Sequence, residues 1–502
     1  MNSTTKLIII GLLLLCPMAG AFAQIEAGSF GYYNEALLFS QTRTGAGSAR
    51  MQGIGGAQTA LGADISSAYT NPAGLGLYNR SEVSFTPGLS YNTSNTDFFG
   101  TATEDTDLRF NVANFGVVIN NSKKDGGLWK GGSWGITFTR TNDFNSRFRY
   151  EGENFDNSII DFFLEQSNGL PISQLSGLTG TAFDHYLINP AGNDIYDSFI
   201  LGFPIQEETV ETRGSQNQLS ISYGGNVGDK FYFGLGVGLT TLRYRQDKTY
   251  REFDYFDPDF PNDPVILNDM VIREDLDIDG TGFNATFGFI FRPTDVVRFG
   301  MSLQTPTFYN LDETYSYDFE TNYNNFFLAA EDTLLSSILT QSDLFVSEYE
   351  LSTPLRINTG VAFFLGKSGF ISGDVEFVNY RNANLQSVDF DVDADNRTIN
   401  NLYQPTINLR LGGEYRVGNF RLRAGYAHFG DPFDIEDGID RSSNTISAGF
   451  GVKFPNYYFD LGVNHSSLNS TYSPYTTIAT ASPLVNVDRN VTNAVFTLGF
   501  TF

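Results

Sequence analysis

Residues 490–502 read NVTNAVFTLGFTF. On an extended chain Ala494, Phe496, Leu498, Phe500 and Phe502 share one side, and Asn493, Thr497 and Thr501 share the other. Successive side chains of a strand point to opposite faces, so the stretch has one apolar and one polar face. Lipid requires such a face, because a charge on it costs a few kcal/mol near the midplane of a bilayer.

The same alternation recurs toward the N-terminus. Residues 405–416 set Ile407, Leu409, Leu411 and Tyr415 against Asn408, Arg410, Glu414 and Arg416. Residues 419–429 set Phe420, Leu422 and Tyr426 against Arg421 and Arg423, and residues 370–380 set Ile371, Val375 and Phe377 against Asp374 and Glu376. Fourteen segments carry strand signals: 82–92, 109–120, 132–145, 216–226, 230–246, 282–293, 296–305, 356–366, 370–380, 405–416, 419–429, 445–454, 457–464 and 490–502. An even count lets one antiparallel chain close into a ring. The connections alternate in length. Short turns such as 227–229, 294–295 and 417–418 face long loops such as 146–215, 247–281 and 306–355. Short periplasmic turns opposite long outer loops are the asymmetry of a barrel in the outer membrane of a bacterium. The expected fold is all-β: a 14-stranded antiparallel transmembrane β-barrel with a polar lumen of both charge signs.

Composition agrees. The 502 residues include 51 Gly, 46 Phe and 26 Tyr, with a mean hydropathy of −0.19. No apolar stretch after residue 23 is long enough to cross a membrane as a helix. Residues 1–23 read as a signal peptide: Lys6, an apolar run from Leu7 to Cys16, and a small-x-small Ala21-Phe22-Ala23 cleavage pattern. Leu15 before Cys16 is too large for lipoprotein processing. Cleavage removes the one cysteine, so the mature chain from Gln24 has no thiol chemistry. His185, His428 and His465 are far apart, and no cofactor or metal centre is expected. A net charge of −26 excludes a general nucleic-acid binder. DLDIDG at 275–280 resembles half a calcium loop, but Thr286 stands where its closing Glu belongs. DVDAD at 391–395 lacks the Gly. Solvated acidic loops account for both, with calcium bridging as the alternative. His465 and Ser466 are sequence neighbours on a strand and face opposite ways, which makes a poor nucleophile–base pair. The chain is not expected to be an enzyme.

Residues 47–85, GSARMQGIGGAQTALGADISSAYTNPAGLGLYNRSEVSF, place a compact small-residue segment directly ahead of the first strand. A fourteen-stranded ring leaves a lumen. A segment tethered to the first strand can fill it, and Gly and Ala permit close approach to the wall. Pro72 fixes its own φ and extends Asn71, whose side chain can cap the next turn. The chain divides into a signal peptide at 1–23, an N-terminal hatch or plug at 24–80, and the transmembrane barrel with long extracellular loops at 81–502. The hatch residues singled out are Gly53, Gly56, Asp64, Asn71, Pro72, Ala73 and Gly74.

This segment resembles the N-terminal hatch of the long-chain fatty acid transporter family, the FadL/TodX type. The resemblance rests on Gly56-Ala57-Gln58-Thr59-Ala60, on Ala63-Asp64-Ile65-Ser66-Ser67-Ala68 and on Asn71-Pro72-Ala73-Gly74-Leu75. The second acidic position of that pattern is absent here. The strand count and the final Phe502, which looks like the signal read by barrel assembly machinery, extend the likeness to the whole architecture. The resemblance implies a hatch inside a fourteen-stranded barrel and passive uptake of hydrophobic molecules, fatty acids by default and aromatic hydrocarbons as the main variant. Outer loops would capture the molecule and pass it to the hatch region. A gap in the wall would release it sideways into the membrane. Outer-membrane lipid and lipopolysaccharide are the expected surroundings. A second reading makes the barrel an accessory or docking component of a surface secretion system.

Inward parity offers Arg298, Arg356, Arg410, Arg421 and Arg423 as holders of a ligand carboxylate. The plainer account pairs them with Asp374, Glu376 or Glu414. Residues 157–166 and 325–349 read as apolar, helix-like loop stretches. Phe162, Phe163, Phe327 and Leu328 there either form a greasy capture platform or pack the two loops on each other.

Overall fold

The computed structural model describes residues 31–42, 46–123, 127–256, 265–329, 332–435 and 437–502. The signal-peptide expectation and the first residues of the hatch lie outside them. The strands are β1 (Glu82–Phe98), β2 (Thr101–Ser122), β3 (Trp129–Asp143), β4 (Ser146–Glu153), β5 (Asn189–Gly192), β6 (Ile195–Asp197), β7 (Phe203–Val227), β8 (Phe231–Phe256), β9 (Leu267–Phe291), β10 (Val297–Gln304), β11 (Phe308–Leu328), β12 (Thr333–Gln341), β13 (Phe345–Ser352), β14 (Arg356–Phe364), β15 (Gly369–Asn379), β16 (Asn384–Gln386), β17 (Pro405–Val417), β18 (Phe420–Phe429), β19 (Ser443–Lys453), β20 (Tyr457–Tyr472) and β21 (Val485–Thr501). The helices are α1 (Tyr32–Ser40), α2 (Ala49–Gly53), α3 (Ser67–Thr70), α4 (Ile159–Ser167), α5 (Gly177–Asp184) and α6 (Asp393–Leu402).

Fourteen staves form one antiparallel ring among the described residues. The last stave closes on the first, from Glu82↔Thr501 to Asp97↔Asn486. Three staves are interrupted: β3 continues as β4 along β7, β10 as β11 along β9, and β13 as β14 along the β10–β11 stave. Pro306 and Pro354 mark two of the breaks, since proline cannot donate to a ladder. Those two breaks are sealed together: Thr307 N donates to Thr353 Oγ1 at 2.9 Å, and Thr353 N to Thr307 O at 3.0 Å.

The faces follow the alternation. Phe231, Phe233, Leu235, Val237 and Leu239 on β8, and Phe283, Phe287 and Phe289 on β9, point outward and are exposed. Directly above them the outward positions turn charged and pair across strands: Arg243–Asp279 at 2.8 Å, Arg245–Asp277 at 2.6 Å and Arg251–Asp269 at 2.7 Å. The apolar band marks the hydrocarbon and the paired charges mark the outer headgroup level, as in an outer-membrane barrel.

The wall is much taller on one side. β7, β8 and β9 run 25, 26 and 25 residues, against 11, 13, 10 and 11 for β15, β17, β18 and β19. About 9–11 residues suffice to cross the bilayer. The sequence pattern ended these tall strands early, at 216, 246 and 282, because above the lipid the outward face turns charged and apolar residues such as Met270, Ile272, Leu276 and Ile278 move to the inner face, so the apolar-out alternation is lost. DLDIDG lies inside β9, with Asp277 and Asp279 in the ion pairs just described. The expectation of a helix-like 325–349 is corrected: the end of β11, β12 and the start of β13 occupy it. β12 instead pairs with β11 over Asp318↔Gln341 to Leu328↔Thr333, and a template strand overrides the helical spacing. The stretch 157–166 does contain a helix, α4, with a Ser158–Asp161 capping box.

Inside the tall wall the β4–β7 loop fills the outer mouth. Ile159, Ile160, Phe162, Phe163, Leu187 and Ile188 pack on Tyr250, Met270, Phe319 and Tyr475. Glu252 ties this cap down, accepting hydrogen bonds from Ser158 Oγ, Ile159 N, Gln206 Nε2, Tyr250 and Tyr255 at 2.5–3.0 Å.

The band assignment predicts a depth-dependent cost. Val237→Arg should destabilise the barrel by about 2–4 kcal/mol in lipid-bilayer unfolding titrations, while Thr249→Arg, outward but above the band, should stay within about 0.5 kcal/mol.

Candidate functional site

Residues 46–80 run down the inside of the ring and enter β1 at its lower end. Short helices and turns build this hatch. Ser48 caps α2 by accepting from Met51 N. Its hydroxyl also donates to both oxygens of Asp64, at 3.0 and 2.9 Å, and its N–H donates to Ser66 Oγ. Asp64 further accepts from Ser66 N and lies 3.7 Å from Arg50. One buried carboxylate thus fastens the two halves of the hatch. Asn71 Oδ1 accepts from Ala73 N, capping a 3₁₀ turn over Pro72–Leu77. Its amide donates to Thr59 O at 2.7 Å and to Phe289 O in the wall at 3.4 Å. Gly56 takes φ +79°, which favours glycine.

The hatch sits on wall glycines. A Cβ on Gly288 would stand 2.0 Å from Asn71 Oδ1, on Gly234 2.2 Å from Ala73 N, on Gly300 2.2 Å from Thr59 O and on Gly412 2.2 Å from Ile54 O. Gly425 and Gly224 are equally tight, against Gly55 N at 2.2 Å and Pro72 O at 2.4 Å. Gly53 and Gly74 supply the matching clearance on the hatch side: a Cβ on Gly53 would lie 3.1 Å from Gly449 Cα, and one on Gly74 2.8 Å from Gly62 Cα. Of the seven residues singled out in the sequence, Gly53, Gly56, Asn71, Pro72 and Ala73 lie against wall residues, and Asp64 and Gly74 make their contacts within the segment. Polar wall groups complete the seat: Asp374 accepts from Thr59 N, Thr497 from Ala49 N, and Ser222 donates to Ala68 O.

The five candidate arginines fall into three situations. Arg356 and Arg410 both pair with Glu376 at 3.2 Å, and Arg423 pairs with Glu414 at 2.7 Å and Asp460 at 2.6 Å. Arg298 donates to the hatch at Leu61 O. Arg421 bends back onto Gly418 O and Phe420 O of its own turn. Arg356 also holds Ser40 O, at the C-terminal end of α1, and Thr42 Oγ1.

Above the hatch lies a cavity of about 130 Å³. Smaller ones of about 80 and 30 Å³ adjoin it, sharing Thr42 and Ala46, or Thr141, in their lining. Most of the main cavity's lining surface is apolar, with Ala113, Tyr380, Phe429, Pro432, Val491 and Val495 in its walls, and Ser90, Asn92, Asn111, Arg140, Asn142 and Arg489 add hydrogen-bonding groups. Arg410 and Arg356 reach only the smaller cavities. The sequence reading missed Arg140. Parity puts it on the lipid side, but the register slips between Arg140 and Asn142, and a bulge re-aims a side chain. A bulge leaves no mark in the hydrophobic pattern.

The cavity borders an interruption of the wall. β2 and β3 pair only from Ser122↔Gly131 to Asn114↔Thr139. Beyond Asn114, β2 keeps β1 as its partner, while β3 and β4 follow β7. A second slip at Ala113 and Pro87 lies opposite the one at Thr141. β3 turns into β4 at Phe144, whose ring packs 5.6 Å from Phe39 of α1 and 5.5 Å from Tyr244. Above the turn β4 leans over β1, with Thr96 Oγ1 donating to Arg149 O at 2.6 Å. Asn111, Ala113, Arg140 and Thr141 line both the interruption and the cavity.

Phe162 and Phe163 are fully buried in the cap, whereas Phe327 is exposed at the β11–β12 end and Leu328 is half-buried. His465 bonds Thr492 on the outer face, and Ser466 bonds Thr445 on the inner face. Among the described residues no group of three metal-ligating side chains converges. His185 is fully buried in the cap, its ring nitrogens bonded to the Thr321 and Thr340 hydroxyls at 3.0 and 2.8 Å. Burial lowers its pKa to about 4.

No family model and no curated protein sequence matches the chain. Solved structures do. A FadL homologue of Pseudomonas aeruginosa matches with TM-score 0.55 at 13% identity, over 91% of this chain and 98% of that one. The toluene transporter TodX of Pseudomonas putida matches with TM-score 0.52 at 11% identity, over 92% and 99%. The toluene transporter TbuX of Ralstonia pickettii matches with TM-score 0.52 at 13%, over 92% and 99%. The chain has the fold of these proteins across nearly its whole length.

The seat predicts that Gly425→Val displaces the hatch while the ring persists: hydrogen exchange at residues 54–60 should rise about a hundredfold, with the barrel amides unchanged. The buried His185 predicts a loosening of the cap in acid. Its folded pKa lies below the ordinary value of 6.5, so the open form takes up the proton. Protection of α5 amides should fall as pH drops from 6.5 toward 4, and His185→Asn should flatten that profile.

Proposed function

We propose that this outer-membrane barrel takes up hydrophobic molecules passively and releases them sideways into the bilayer between β2 and β3. The observation that carries this reading is the coincidence of the cavity with the interrupted β2–β3 ladder. The hatch fills the lower lumen, so a straight path to the periplasm would have to displace it. The solved structures of like fold include a FadL homologue and two toluene transporters, which supports hydrophobic cargo.

The cavity's mixed lining suits an amphiphile, with apolar surface for a chain and hydrogen-bonding groups for a head. A cavity of roughly 150 Å³ holds a benzene-sized ligand, so about 130 Å³ seats a head group and the start of a chain. The apolar part of the lining can take the chain, and Ser90, Asn111 and Arg140, already held by protein partners, offer a polar head their remaining hydrogen-bonding capacity. The chain of a fatty acid would then lie through the β2–β3 interruption toward lipid. Arg140, beside Asp143 at 3.0 Å, stands at that rim as the head-group contact.

Blocking the rim tests the route. Ser90→Trp/Asn111→Trp should cut labelled oleate uptake into reconstituted vesicles by about tenfold or more with the barrel folded. Undiminished uptake would remove the lateral route.

A further inference from the structure

The sequence singled out residues 325–349 as an apolar loop stretch that the transport reading does not use. In the fold it becomes the outermost hairpin of the tall wall. β11 is paired on one edge with β9, and on the other with β13 below and β12 above. Among the described residues the far edge of β12 over residues 334–341 meets no strand. β12 reads TLLSSILTQ, with no charge, no proline and no glycine. Leu334 and Leu339 are 58% and 56% exposed. Natural proteins guard such edges with Lys, proline or a bulge. This one has no Lys and no proline, and its pairing with β11 is irregular only around Ser336, in a chain of net charge −26. It stands above the hydrocarbon, because Glu320, opposite Leu339, is ion-paired to Arg273 at 3.2 Å in the charged belt.

We propose that β12 is a docking edge for an extended, cation-flanked segment of another protein, added as a further strand to the hairpin. A row of backbone donors and acceptors selects a strand as occupant. The ends select its charge: Asp332 and Asp343 flank β12 on both sides. Two copies of this chain pairing through β12, parallel or antiparallel, would set Asp against Asp at each end, and like charges across a ladder are destabilising. A strand with Lys or Arg at its ends meets both carboxylates and lays alternate apolar side chains beside Leu334 and Leu339. This inference does not depend on the transport reading.

The test uses the full chain in lipid nanodiscs and a peptide of alternating Val and Thr with Lys at both ends. The peptide should bind. Its backbone N-methylated version and its Glu-ended version should not. Asp332→Asn/Asp343→Lys should weaken the Lys-ended peptide by about tenfold; Asn suits the φ of +49° at Asp332. Leu334→Lys/Leu339→Lys keeps the hairpin's backbone pairing and should also weaken binding. Equal binding of the N-methylated peptide, no binding of the Lys-ended peptide at millimolar concentration, or dimers cross-linked through Ser337→Cys would each overturn the proposal.

Discussion

Backbone meets backbone where the hatch lies against the wall, and the rest of the structure depends on that contact. A side chain even as small as alanine at Gly288, Gly234, Gly412 or Gly425 would overlap main-chain or short side-chain atoms of the hatch. The ring therefore gives up side chains at these inner positions. The hatch supplies its own Gly and Ala, and the two surfaces close to van der Waals distance. Wall carboxylates, hydroxyls and arginines then satisfy the exposed hatch amides and carbonyls, as Asp374 does for Thr59 and Arg298 for Leu61. An unpaired buried backbone group would cost about as much as a lost hydrogen bond.

With the lower lumen filled, the upper chamber and the wall beside it become the places where the barrel can act. The β2–β3 interruption is not a fault of an otherwise uniform ring. Bulges at Ala113 and Thr141 face each other across it, and Phe144 anchors the turn of β3 onto α1. The interruptions near Pro306 and Pro354 also break their staves but are closed by reciprocal Thr307–Thr353 bonds. Three breaks thus differ in kind: two are stitched to each other and border the smallest cavity, and one borders the main cavity.

Much of the ring was legible because lipid imposes a strict pattern. Phe420, Leu422, Ile407 and Leu409 face outward and Arg423, Glu414 and Glu376 inward, as their alternation requires. Legibility ends where the constraint ends. Above the hydrocarbon, β7, β8 and β9 continue with charged residues outward and apolar ones mixed into the inner face, and a pattern that looks for apolar-out alternation stops short of them. Residues 325–349 carry helical spacing, yet pairing with β11 makes them strands. Arg140 reaches the cavity through a bulge that no periodicity reports. The hatch was legible for another reason: small residues, Asp64 and Asn71-Pro72 have few uses ahead of a first strand. The inward arginines could be placed by parity, but their pairing with carboxylates required the neighbouring strands to be known.

The central claim is that the N-terminal segment closes the ring from within. Conductance across planar bilayers tests it most directly, comparing the intact mature chain with one beginning at Ser81. The account predicts that the intact barrel is electrically silent and that the shortened one opens a steady pore. A steady open pore in the intact chain, or silence in a folded ring lacking residues 24–80, would contradict it.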